Sequence, residues 1–225
     1  MTEATGGPPR PDVTDMYAVH GVFRDSLGAA PRLVAEAGTD DPGRVALIAN
    51  YYENILSFLV AHHDGEEQLV FPLLRERCAG NGVLLDRLAA EHEEAMVLLK
   101  AAESSLAAWP GGDAEAQGAV AEDLEALRVQ LLAHLAEEER EGLPLCAENL
   151  SMEEWGALPW HGMAHFQGDK IWLILGMLRE RMTQSQCDAM LAHMPPPALD
   201  MWTGFGEQAF EDYSGQVHAP VESTA

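Results

Sequence analysis

The segment HHDGEEQLVFPLL, residues 62–74, decides the reading of this chain, and HLAEEEREGLPL, residues 134–145, repeats it. Each carries a histidine, a glutamate four residues on and a proline ten residues on: His62, Glu66 and Pro72, then His134, Glu138 and Pro144. The offset is 72 residues, and it also relates His20 to His92, Glu67 to Glu139, Leu27 to Leu99, Leu59 to Leu131 and Leu73 to Leu145. Rare residue types matched at one offset mark an internal repeat. Each half reads as a helical hairpin with one histidine on its first helix and HxxxE on its second.

The surrounding sequence predicts helices throughout. Apolar residues recur at steps of three and four, and alternating β-branched runs are absent. Residues 12–30 align Val13, Met16, His20, Phe23 and Leu27 on one face before Pro31. Pro42 opens a second helix running to about Arg77, with Ile55, Leu59, His62, Glu66, Leu69 and Leu73 in its seam. A third carries Leu85, Leu88, His92, Ala95, Leu99, Ala102 and Leu106 and ends at Trp109-Pro110. The fourth presents Val120, Leu124, Leu127, Leu131, His134 and Glu138. The expected fold is all-α: an up-down four-helix bundle over residues 12–149, with additional C-terminal helices over 150–213. Within that extension, Ser-Met-Glu-Glu from Ser151 starts a helix expected to run to about Met182. A shorter helix ends at Pro195, and a last one spans Ala198 to Tyr213. Residues 1–11 and 214–225 read as disordered tails.

Composition bounds the function. Among 225 residues, 37 acidic side chains against 13 basic ones give a formal charge of −24. Such a chain repels phosphate backbones, which excludes nucleic acid and anionic membrane surfaces as partners. The N-terminus has no signal-peptide pattern, and no apolar run approaches the ~20 residues of a membrane span. Three cysteines without CxxC spacing, Cys78, Cys146 and Cys187, fit a reducing compartment, so a cytoplasmic protein is expected.

The repeat supplies the chemistry. Residues i and i+4 share a helix face, so each HxxxE aims an imidazole and a carboxylate at one point. Both pairs lie in apolar seams, so His20, His62, Glu66, His92, His134 and Glu138 are expected to meet in the interior. Unpaired, such groups cost roughly 1–3 kcal/mol each and more when charged, and metal coordination offsets that cost. Nitrogen and oxygen donors without thiolate suit iron, manganese or zinc. Two carboxylates between two groups of histidines suit a dinuclear site about 3.5–4 Å across. The Glu-x-x-His di-iron motif occurs nowhere in the chain. A single zinc, or a metal-free histidine network, is the weaker alternative.

The order His20, His62-xxx-Glu66, His92, His134-xxx-Glu138 resembles the hemerythrin-like, or HHE cation-binding, family over roughly residues 12–149. The resemblance implies two non-haem iron ions with an oxo or hydroxo bridge, carried by Glu66 and Glu138 as bridging carboxylates. His20, His62, His92 and His134 would then be terminal ligands. Oxygen-carrying hemerythrins have a further histidine one turn from the third-helix ligand, where this chain has Leu88 and Met96. Their last carboxylate is an aspartate one position beyond Glu138. The pattern is closer to bacterial and actinobacterial relatives, which implies O2, H2O2 or NO as small ligands. It implies either peroxidase-like, catalase-like or nitric oxide peroxidase activity, or an iron- or oxygen-responsive sensor without turnover.

Several residues stay open at this level. His63 reads either as a further ligand or as a donor behind the ligands, and His165, paired with His161 at i, i+4, is a second source of an extra nitrogen. Tyr17, Tyr51 and Tyr52 lie on the first two bundle helices, where packing or a place beside the metal are both readings. Trp155, Trp160, Trp172 and the run Ile171 to Leu175 give the extension a broad apolar face. It is expected to cover the bundle or to form a homodimer.

Overall fold

The computed structural model describes residues 10–220, and within them every regular element is helical. Of the stretches read above as tails, residues 1–9 and 221–225 lie outside the described residues, whereas residues 214–218 are helical and correct that reading. Four long elements form the bundle. They are α1 (Asp15–Gly28), α3 (Pro42–Gly65) with its continuation α4 (Phe71–Arg77), α5 (Gly82–Ala108), and α6 (Ala114–Glu137) with its continuation α7 (Leu143–Asn149). Around the ring α1 meets α3, α3 meets α5, α5 meets α6 and α6 returns to α1. A short α2 (Ala30–Ala37) packs on α6 and α3.

The repeat governs local structure as well as composition. Asp41 caps α3 by accepting from the N–H groups of Gly43 and Arg44, and Asp113 caps α6 through Glu115 and Ala116. Both helices then run the same length. Each passes into a wider π turn, Glu66–Val70 and Glu138–Gly142, before resuming as α-helix. The prolines account for this. Pro72 and Pro144 lack an N–H and would crowd the carbonyl four residues back, and the wider turn relieves that clash. One extra residue per turn rotates the continuing helix by about 100°. The buried seam therefore continues from Glu66 through Val70 and Leu74, correcting the expected Leu69 and Leu73, which are only partly buried.

The core falls into two layers. One holds Phe23, Leu59, Ala95 and Leu131, and the other Met16, Val70, Leu88 and Leu143. The four ligand-bearing segments cross the boundary between them.

Beyond α7 the chain departs from the expected single helix over 151–182. Ser151 does cap a helix through a reciprocal box with Glu154, but α8 (Met152–Gly156) is short. After α9 (Leu158–His165) the backbone breaks before α10 (Ile171–Arg179). The break is fixed by tertiary bonds: Gln167 N–H donates to Ser57 Oγ at 2.8 Å, and Lys170 N–H to Asn54 Oδ1 at 2.9 Å. Next come α11 (Gln184–His193) and α12 (Pro196–Met201). α13 (Glu207–His218) then extends five residues past the expected end at Tyr213. Its last turn is held because Val217 is fully buried and Arg44 donates to the carbonyls of Gln216 and Val217.

Leu173, Ile174, Leu175, Met177, Phe210 and Val217 join the same core cluster as the bundle, so most of the apolar face of the extension is covered within the chain, and Trp160, counted in that face above, is exposed. Gly176 permits this, because a Cβ there would collide with the Phe210 ring.

Candidate metal centre

α1, α3, α5 and α6 bring His20, His62, Glu66, His92, His134 and Glu138 into one buried layer. The HxxxE pairs meet as their spacing dictates: His62 Nε2 lies 3.6 Å from Glu66 Oε1, and His134 Nε2 lies 3.8 Å from Glu138 Oε2. Each carboxylate also reaches across the bundle. Glu66 Oε2 is 3.5 Å from His92 Nε2, and Glu138 Oε2 is 3.3 Å from His20 Nε2. Both glutamates therefore stand between histidines of the two halves.

His63 joins the layer as well. It is buried, and its ring stacks on His92 with centroids 4.0 Å apart and planes at 13°. Two sets of donor atoms result, each within 4.8 Å of one another: His20, His62, Glu66 and Glu138 in one, and His63, His92 and His134 in the other.

Three outer carboxylates orient three of these rings. His20 Nδ1 donates to Glu139 Oε1 at 2.8 Å, His92 Nδ1 to Glu67 Oε1 at 3.1 Å and His134 Nδ1 to Glu91 Oε2 at 2.9 Å. With the proton on Nδ1, each ring turns an Nε2 lone pair inward. The Nε2 atoms of His92 and His134 then face each other at 3.1 Å. Two lone pairs at that distance repel unless the nitrogens share a proton or a metal ion.

The unpartnered atoms lead to the same conclusion. His20 Nε2, His62 Nε2, both ring nitrogens of His63, both oxygens of Glu66 and Glu138 Oε2 are buried without a hydrogen-bond partner. Natural interiors tolerate few such atoms, and seven in one layer fit a site that metal ions complete.

Electrostatics agree. Burial holds His62 and His63 well below the ordinary histidine range and brings His134 down to about 4, so all three are neutral donors at neutral pH. Burial, reinforced by the charge of Glu138, pushes Glu66 well above the carboxylate range. Burial opposes charge on Glu138 and His20 too, yet their mutual contact lowers the first and raises the second, so the carboxylate and the imidazole nitrogen favour one shared positive charge, a proton or a cation.

The remaining histidines and tyrosines are placed elsewhere. His165 donates from Nδ1 to the carbonyl of His161, and the two rings stack at 3.8 Å on α9, outside both donor sets. Tyr17 is exposed, which removes it from both readings. Tyr51 and Tyr52 are buried and donate to Ser26 Oγ and to the Ser26 carbonyl, each at 3.0 Å. The role of Glu91 is not legible from the repeat, since only its place next to His92 singles it out. Glu67 and Glu139 are marked by their shared offset.

The fold and this layer define a helical bundle with a buried histidine–carboxylate cluster able to hold metal ions. Residues 12–146 match the model of the hemerythrin HHE cation-binding domain, and the chain belongs to that family. No curated protein and no solved structure matches it. Among the described residues no helix is long and apolar enough to cross a membrane.

Proposed function

We propose that this chain is a hemerythrin-like non-haem di-iron protein whose centre receives O2, H2O2 or NO. The observation that carries the reading is the convergence of unpartnered nitrogen and oxygen atoms from both HxxxE segments into one buried layer. His20, His62, His92 and His134 would hold the irons, with Glu66 and Glu138 shared between them. When bound, such a pair supplies open coordination positions and a reversible redox change. The protein's part is to fix the donors and keep water out. Glu139, Glu67 and Glu91 set the tautomer and direction of three imidazoles, and the apolar layers on either side close the site.

Metal analysis and optical spectra of the purified full chain test this. About two irons per chain are expected, with losses in Glu66→Ala and Glu138→Ala, and fewer than about one and a half irons overturns the reading. Rapid loss of H2O2 or NO in the iron-loaded protein, abolished in both variants, marks an enzyme. A stable oxygen adduct without turnover marks the sensor reading, in which the C-terminal helices report occupancy.

A further inference from the structure

The two HxxxE helices agree in their caps, lengths and π turns but differ at one interior position beside the centre. His63 stands where the repeat places Leu135, and both are buried. Leu135 is simply part of the apolar core. His63 instead presents two buried ring nitrogens that bond to nothing, and its ring lies flat on His92. A side chain that only filled space at this point would be served by leucine, as the other half demonstrates.

Without His63, the second donor set would hold one histidine from each of α5 and α6 and nothing from α3. With it, the sets become unequal in kind. The first has two imidazoles and two carboxylates, and the second has three imidazoles. A first cation is drawn to the point where both buried carboxyl groups converge, because it binds them as carboxylates and attraction in a buried site is only weakly screened. A second cation then meets three imidazoles, with Glu66 Oε2 3.5 Å from the inward His92 Nε2 and Glu67 Oε1 held behind the ring at Nδ1. Resting on the di-iron reading above, we propose that His63 is a metal ligand that makes the two positions unequal. His20, His62, Glu66 and Glu138 fill first, and His63, His92 and His134 fill second.

Anaerobic titration of the metal-free full chain with ferrous ion, monitored by calorimetry and by Mössbauer spectroscopy, tests this. The wild type is expected to fill in two resolved steps and to show two distinct iron environments. His63→Leu, which copies the other half, is expected to keep the first step and to weaken the second on the order of 100-fold, at the upper end of the loss seen when even an outer partner of a ligand is removed. Its metal-free melting temperature is expected to equal or exceed that of the wild type. Should it melt lower, His63→Gln carries the same titration with the same two outcomes.

Two unchanged steps in the variant, or equal losses in both, overturn this proposal and leave the di-iron reading standing. A wild type that fills in one merged step overturns the inequality. A wild type that takes up fewer than about one and a half irons overturns the di-iron reading itself.

Discussion

α3 and α6 are the same helix twice in boundary, cap and ending, yet they live in different surroundings. Of their 24 residues each, α3 buries 13 and α6 buries 6. The difference lies on the outer face. α3 carries Asn50, Asn54 and Ser57, which bond to the extension, where α6 has Glu122, Ala126 and Val129. Leu56 of α3 is buried, and its counterpart Arg128 pairs only with Glu125 one turn back. The inner face is fixed by the centre and is shared by the two halves. The outer face is free to differ, and here the extension occupies one half alone.

That contrast can be broken most severely by removing the cover. A chain ending at residue 149 would strip Leu173, Ile174, Leu175, Met177, Met194, Trp202, Phe210 and Val217 from the main core. At roughly 1.5–3 kcal/mol per buried side chain, this rivals the ~5–15 kcal/mol that holds a domain together. The truncated chain is expected to lose cooperative thermal unfolding by circular dichroism and to aggregate on size exclusion. A soluble fragment with an intact melt would show that α3 needs no cover.

A reciprocal exchange at one repeat position is the next largest. Leu56→Arg puts a charge into the core and is expected to cost about 3–5 kcal/mol. Arg128→Leu gives up one partly exposed pair and is expected to cost no more than about 1 kcal/mol. Urea melts of both variants measure the asymmetry of the two helices directly.

Asn54→Ala is smaller. Asn54 Nδ2 donates to Asp169 Oδ1 at 2.9 Å and its Oδ1 accepts from Lys170 N–H, so removing the amide takes away two of the bonds that hold that loop and leaves those of Asn50 and Ser57. A loss of about 1–3 kcal/mol is expected, with faster amide exchange confined to residues 166–170. Ala126→Asn, the mirror change on α6, is expected to cost only the roughly 0.5 kcal/mol of lost helix propensity and to leave exchange at residues 166–170 unchanged.

The smallest effect sharpens the likeness instead of the difference. Asp41→Ala and Asp113→Ala each remove one cap that accepts two N–H bonds, and both are expected to cost about 1 kcal/mol. Equal losses would show that the two helices begin alike despite their surroundings.

These features differ in how far they can be read from residues alone. The bundle and six buried donors are legible because repeat offset and helical period speak about the inner face, which both halves share. His63 stays open because α3 is buried on more than one side, so two adjacent histidines can both be interior. The slip from Leu69 and Leu73 to Val70 and Leu74 is hidden because a π turn leaves composition unchanged. The break over residues 166–170 is hidden because Asn54 and Ser57, more than a hundred positions away, impose it. Tyr17 is exposed although it sits three residues from His20, one residue off the face that α1 turns inward.

The paired π turns carry a further consequence for how this chain tolerates change. Each HxxxE glutamate opens its turn, so its placement is inherited from the helix before it, while the helix after it takes its phase from the proline. The two stretches are geared separately. A residue added or lost between Glu66 and Pro72, or between Glu138 and Pro144, turns the layer of Val70 and Leu143 while the carboxylates keep their address. Drift in that layer is thereby insulated from the buried histidine–carboxylate cluster, as though the bundle were cut there and rejoined with a swivel.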